Sequence, residues 1–150
     1  MTSKVTYHPN YAHDLPSWDD ILKNIEYNVY HNNPNTKIME NLGFVTTDNS
    51  KIESIESLRK QIHSLKPEEP ICTAHVYISM LTTSKTFGWH NDDTEVYFIQ
   101  ALGQTKWQIE ENNEIIEHIL NPGDMIFVPK GLRHNTIPLT ARVGISIGFT

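Results

Sequence analysis

Three side chains in the second half of the chain have the types and the spacing to hold one metal ion. His90 and Asp92 stand two apart in Gly88-Trp89-His90-Asn91-Asp92. Residues two apart on extended backbone point to the same side, so an imidazole and a carboxylate can grip one ion together. The third ligand has to come from a distant segment, and His134, which closes the stretch Gly123-Asp124-Met125-Ile126-Phe127-Val128-Pro129-Lys130-Gly131-Leu132-Arg133-His134, is the candidate. Two imidazoles and one carboxylate on one face of an ion leave the opposite positions free; with Fe(II) that is the arrangement that admits a co-substrate and dioxygen. Of the eight histidines only His90 is followed by an acid two residues on. His31, His63, His75 and His118 lack such a partner and read as structural or solvated, and the spacing prefers Asp92 to Asp93.

The elements that must position these groups change character near Pro70. Beyond it, short β-branched and aromatic runs alternate with turn residues, which predicts strands near Cys72–Leu81, Glu95–Ala101, Thr105–Glu110, Glu114–Leu120, Met125–Val128 and Arg142–Phe149. Asn112-Asn113 predicts a hairpin, and Asn121-Pro122-Gly123-Asp124 and Pro129-Lys130-Gly131 predict tight reversals. The His-x-Asp pair then lies at the entry to a strand that a turn at Gly103 closes. Before Pro70 the pattern is helical. Trp18, Ile21, Leu22, Ile25 and Val29 follow Ser17 at helical spacing, with Asp20 placed to complete a capping box. Ser50 and Glu53 make a second candidate box ahead of the stripe Ile52, Ile55, Leu58, Ile62 and Leu65, which Lys66-Pro67 ends. His31 to Asn35 is a turn-rich connector. The expected fold is mostly β with N-terminal helices: a double-stranded β-helix (jelly roll, cupin-like) in one domain over 1–150, with a helical part at 1–70 and a barrel at 71–150.

Composition narrows the setting. A chain of 150 residues suffices for one well-filled core. The formal charge is −6, from twelve Lys and Arg against eighteen Asp and Glu, with the basic residues scattered singly. Phosphate backbones need concentrated positive charge, which argues against nucleic acid as a partner. One cysteine, Cys72, cannot form an internal disulfide and reads as a small core residue, and no stretch pairs a basic segment with an apolar run fit for export or membrane spanning. These features predict a soluble, reduced, cytoplasmic protein, with a homodimer left open.

The stretches Phe87–Trp107 (FGWHNDDTEVYFIQALGQTKW), Leu120–His134 (LNPGDMIFVPKGLRH) and Ser146-Ile147-Gly148-Phe149 resemble the JmjC/cupin class of 2-oxoglutarate oxygenases, and within it the ribosomal-protein hydroxylases. The resemblance covers roughly the second half of the chain. It implies Fe(II) held by His90, Asp92 and His134, 2-oxoglutarate as co-substrate (with ascorbate as the usual addition in vitro), and hydroxylation of a protein side chain or a small molecule. Gln100, Trp107 and Glu95 fall on the recurring Gln, Trp and acid of the pattern.

The sequence departs from that pattern at the co-substrate. The resemblance implies an Arg or Lys two residues after the glycine, and Thr105 stands there. Lys106 is adjacent, but strand alternation turns it to the opposite face unless a bulge intervenes. Arg142 is therefore the preferred partner for the far carboxylate, since it shares parity with Ser146 on the last strand and a guanidinium pairs bidentately with a carboxylate. Tyr77 and Ser79 share a face of the preceding strand and are further co-substrate candidates, and Trp89 either walls the pocket or packs its loop. The chain stops one residue after the last barrel strand, without the C-terminal extension that the resemblance implies. The wider cupin pattern keeps two alternatives in view: Glu95 as a fourth ligand to Mn, Ni, Zn or Fe with other chemistry such as isomerisation, or a non-catalytic binder.

Overall fold

Two antiparallel sheets face one another in the computed structural model, which describes residues 4–70 and 72–149. Ile71 and Thr150, the nominal ends of the barrel half, lie outside the described residues. The larger sheet has seven strands in the order β1 (Thr6–His8), β8 (Met125–Val128), β5 (Val96–Leu102), β10 (Arg142–Phe149), β4 (Cys72–Ser79), β3 (Phe44–Asp48) and β2 (Lys37–Met39). The smaller has three, β7 (Glu114–Leu120), β6 (Thr105–Glu111) and β9 (His134–Pro138). Helices α1 (Trp18–Tyr30) and α2 (Glu53–His63) cover the outer face of the large sheet. This is the double-stranded β-helix expected from the sequence.

Alternation along the strands sorts the side chains between two cores. Ala74, Val76 and Ile78 of β4 and Val143, Ile145, Ile147 and Phe149 of β10 face the helices, with Ile21, Ile55, Leu58 and Ile62. Val96 and Phe98 of β5 face the small sheet and pack with Trp107, Ile109, Leu120, Ile126 and Val128. Buried on both faces, β5 reads as a near-continuous apolar run. Gly144 of β10 is required beside β5, whose Phe98 ring lies over it, because a Cβ there would lie 1.9 Å from that ring. The turns form as read: Asn112 and Asn113 both take positive φ, and the Asp124 amide donates to the Asn121 carbonyl at 2.9 Å.

The N-terminal part differs from the sequence expectation in three respects. First, β1, β2 and β3 lie within the stretch read as helical. At three to five residues they carry too little alternation to be legible; β1 and β3 pair with strands far along the chain, β8 and β4, and β2 pairs with β3 at the sheet edge. Secondly, the Ser17–Asp20 capping box forms, but the Ser50–Glu53 box does not. The Ser50 and Lys51 amides donate instead to Asn24 Oδ1 of α1, at 2.9 and 3.1 Å, and Asn49 Oδ1 accepts from the Ile52 amide. Thirdly, Leu22, Val29 and Leu65 are about half exposed, while Asn24 and Asn28 are buried. Asn28 Nδ2 donates to Thr47 Oγ1 and to the Asp48 carbonyl, both at 2.8 Å, so polar bonds to β3 set the inward face of α1. Strand β9 was also not foreseen. Among the described residues no helix is long and apolar enough to cross a membrane.

Candidate metal centre

His90 belongs to the segment between β4 and β5, and His134 opens β9. Their backbones exchange two hydrogen bonds, His90 N–H to His134 O at 2.9 Å and the reverse at 2.8 Å, an isolated antiparallel bridge that fixes the two rings side by side. Thr86 Oγ1 donates to the Thr136 carbonyl, and the Gly131 amide donates to the Asp92 carbonyl, so the ligand segment is held at both ends by β9 and the turn before it. Gly131 reaches that position with φ +81°.

Each histidine has its ring orientation settled by its own backbone. Nδ1 of His90 lies 2.8 Å from the Gly88 carbonyl, and Nδ1 of His134 lies 2.9 Å from the Leu132 carbonyl. A carbonyl only accepts, so each Nδ1 carries the hydrogen, and in the neutral imidazole Nε2 keeps its lone pair free. Both Nε2 atoms turn toward Asp92, 3.9 Å from Oδ1 for His90 and 3.3 Å from Oδ2 for His134. The three donor atoms lie within 4.8 Å of one another. His134, through hydrogen bonding first and charge second, and then His90 hold the Asp92 carboxyl below the usual carboxylate range against the opposing effect of burial. The set therefore offers two imine nitrogens and a carboxylate, a donor chemistry that fits a divalent transition metal, with the outer ring nitrogens anchored as such ligands require. Trp107 stacks on the His134 ring at 5.3 Å and meets Phe98 edge-on at 4.8 Å, closing the side away from solvent.

The three groups open into a cavity of about 160 Å³ that Tyr77, Phe87, Phe98, Arg142 and Ser146 also line. Arg142 is 2% exposed, yet its only protein hydrogen bond among the described residues runs from Nε to Ser79 Oγ, at 2.9 Å. Its guanidinium carbon sits 5.6 Å from the Phe44 ring centroid, and burial pushes its pKa down to about 10. No carboxylate pairs with it among the described residues. A buried cation facing a cavity without a counter-ion is costly unless an anion enters.

The other sequence candidates divide clearly. Tyr77 and Ser146 line the cavity with Arg142. Thr105 points inward and is fully buried, its hydroxyl without a partner among the described residues, but it is not on the cavity wall. Lys106 is corrected: β6 runs in regular register with β7 from Thr105↔Leu120 to Glu111↔Glu114, no bulge intervenes, and Lys106 faces outward to Glu117 at 3.8 Å. Glu95 is carried away from the centre into an ion pair with Lys66. Trp89 stacks under Arg133 and does not line the cavity. Asp124 fixes its turn, accepting from the Asn121 and Asn10 amides and from Tyr7 Oη. Sequence reasoning missed Phe44, which reaches the cavity because β3 places it opposite Ser79. No local signal marks it.

Comparison with known proteins bears on this centre. The family described as JmjC domain matches residues 50–115 and 109–150. The ribosomal protein uL16 3-hydroxylase of Escherichia coli (strain K12) is 26% identical over 41% of this chain and 21% of its own length. YcfD, a ribosomal oxygenase from Escherichia coli, superimposes in its complex with cobalt and succinic acid with a TM-score of 0.73 at 18% identity, covering 98% of this chain and 48% of that one. Its complex with cobalt and 2-oxoglutarate gives 0.72 at 17% identity over the same shares. The chain thus spans about half the length of the solved relatives it matches. With matched segments reaching from residue 50 to residue 150 and a double-stranded β-helix around a His-x-Asp and distal His cluster, the chain belongs to the JmjC domain family.

Proposed function

We propose that this chain is the barrel of an Fe(II)- and 2-oxoglutarate-dependent oxygenase that hydroxylates a protein side chain in the cytoplasm. The observation that carries the reading is the juxtaposition of two lone-pair-bearing Nε2 atoms and the Asp92 carboxylate with an un-neutralised, buried Arg142 in one small cavity. His90, Asp92 and His134 would hold the metal, and Arg142, with Ser79 fixing its angle, would take the far carboxylate of the co-substrate while Tyr77 and Ser146 flank it. Bound Fe(II) supplies the dioxygen chemistry that couples oxidative decarboxylation of 2-oxoglutarate to hydroxylation of a C–H bond. The chain's own contribution is orientation and the exclusion of water by Phe98, Trp107 and Phe44. A protein substrate follows from the relative whose name specifies a ribosomal protein.

Anaerobic titration tests this. Fe(II) followed by 2-oxoglutarate should give a visible charge-transfer band, and with oxygen and ascorbate succinate should accumulate slowly even without substrate. His90→Ala, Asp92→Ala and His134→Ala should each lose the band. Retention of the band in any of the three sinks the ligand assignment.

A further inference from the structure

The small sheet ends on one side in a strand whose outer backbone groups are unpaired among the described residues. Of the four edges that the two sheets present there, β1 and β2 are three residues long and β2 carries Lys37. The β9 edge is covered by the segment that holds His90, through the His90–His134 bridge and the Thr86 bond to the Thr136 carbonyl. Strand β7 runs for seven residues, Glu-Ile-Ile-Glu-His-Ile-Leu, without lysine, proline or bulge, the devices that keep an exposed edge from pairing. Which of its groups face outward follows from the turn. Asn112 and Asn113 form a two-residue loop with positive φ at both, so Glu111 and Glu114, which flank it, exchange both backbone bonds. Bonded pairs alternate from there, and Ile116, His118 and Leu120 likewise bond to β6. Ile115, Glu117 and Ile119 turn their N–H and C=O groups to the free edge, and no group among the described residues meets them.

We infer that this edge is the seam of a homodimer, in which β7 pairs antiparallel with β7 of a second copy across a two-fold axis at Glu117, and two three-stranded sheets become one of six strands. An axis perpendicular to the sheet keeps each outer face outer, so outward-bonding residues meet one another. Ile115 then stands opposite Ile119 of the second copy, Glu117 opposite its own mate, and Ile119 opposite Ile115. Each of these three rungs carries two backbone hydrogen bonds, whereas a register shifted by two residues keeps only two of the three. The side chains agree. Ile115 and Ile119 are 59% and 48% exposed on the outer face, and the pairing covers them as two cross-strand contacts. Two carboxylates opposite one another repel, but each Glu117 accepts from Gln108 Nε2 at 2.9 Å and lies 3.8 Å from Lys106 Nζ on the neighbouring strand, so each brings its own counter-charge. At about one hydrogen bond per 100–200 Å², this seam corresponds to roughly 600–1,200 Å² of interface, the range of weak and reversible association. The pairing needs neither metal nor co-substrate.

Sedimentation velocity of the full chain over a wide concentration range tests this. The parent should pass reversibly from monomer to dimer. Ile119→Pro removes one outward N–H and spares the bonds to β6, as edge positions allow, so it should weaken dimerisation at least tenfold with an unchanged circular dichroism spectrum. Glu117→Gln relieves the like-charge contact on the axis and should tighten the dimer. Glu117→Cys reads the register directly: opposed bonding residues have Cα atoms about 5.5 Å apart, within disulfide reach, so mild oxidation should trap a covalent dimer. Cys72 is buried and does not compete. Gln108→Cys, one strand farther in on the same face, lies roughly 14 Å from its mate at ~4.8 Å per strand and should not cross-link. A parent that stays monomeric, with no more cross-link from Glu117→Cys than from Gln108→Cys, overturns the dimer. A dimer that Ile119→Pro leaves intact, or that Glu117→Gln weakens, overturns β7 as its seam; should Ile119→Pro disturb the fold, the cross-link decides.

Discussion

At the scale of single residues, Arg142 shows how a site is prepared at the expense of stability. Its folded pKa lies below that of a free guanidinium because burial disfavours the charge. The sign follows: a cation with a depressed folded pKa costs stability throughout the range below that pKa, so at neutral pH the whole cost is present. Anion entry relieves it. Arg142→Met, similar in length and uncharged, should therefore be as stable as the parent or more so in urea unfolding, while losing roughly 2–4 kcal/mol of 2-oxoglutarate binding, the scale for removing one partner of a buried charge pair. Fe(II) affinity should barely change, since Arg142 is no ligand. A variant that binds the co-substrate normally would show that another group takes the carboxylate. Lys106→Ala is the internal control, because its side chain pairs with Glu117 on the outer face.

At the scale of elements, polar contacts set the roll of α1 about the apolar contact that Trp18, Ile21 and Ile25 make with the core. Ile21 is buried, but Leu22 and Val29 are not, and the helix is rolled so that Asn24 and Asn28 meet β3 and the start of α2. Asn28→Ala should cost about 1–3 kcal/mol, since Thr47 Oγ1 and the Asp48 carbonyl would lose a buried donor. Leu22→Ala should stay within about 0.5 kcal/mol, as exposed positions do. Denaturant unfolding of the two variants decides the matter, and a larger loss at Leu22 would mean that α1 packs by its apolar stripe after all. The roll has a consequence for the centre, because the bonds that hold α1 to β3 also steady the strand that carries Phe44 into the cavity.

At the scale of the whole molecule, the proposed ion joins segments that are otherwise tied by the His90–His134 backbone pair and by the Gly131–Asp92 and Thr86–Thr136 hydrogen bonds. His90 and Asp92 belong to the connection between β4 and β5, and His134 belongs to the small sheet. A ligand that binds only the folded state stabilises it by mass action, about 2.7 kcal/mol at a hundredfold excess over its dissociation constant. For a chain of this size that corresponds to a rise in melting temperature of roughly 5–10 °C. Mn(II) should produce such a rise in the parent and none in Asp92→Ala, read by scanning calorimetry. An equal rise in both would place the ion elsewhere.

The sequence by itself determined the candidate donor set and most of the barrel. His90-x-Asp92 needs only strand alternation to be read as a chelating pair, and the turns at Asn112-Asn113 and Pro122-Gly123 are local facts of backbone conformation, so β7, β8 and β10 end where their residues say they should. Parity on a regular strand likewise separated Arg142 from Lys106. What only the tertiary structure decided are the features that depend on long-range pairing. Strands β1, β2 and β3 are too short to show a period, and Phe44 becomes a cavity residue only because β3 lies in register with β4. The Ser50 cap, locally plausible, does not form, because Asn24 Oδ1 from another helix accepts from the Ser50 amide that the Glu53 side chain would have taken, and from the Lys51 amide as well. The inequality of the two sheets, seven strands against three among the described residues, is a count that no local pattern encodes.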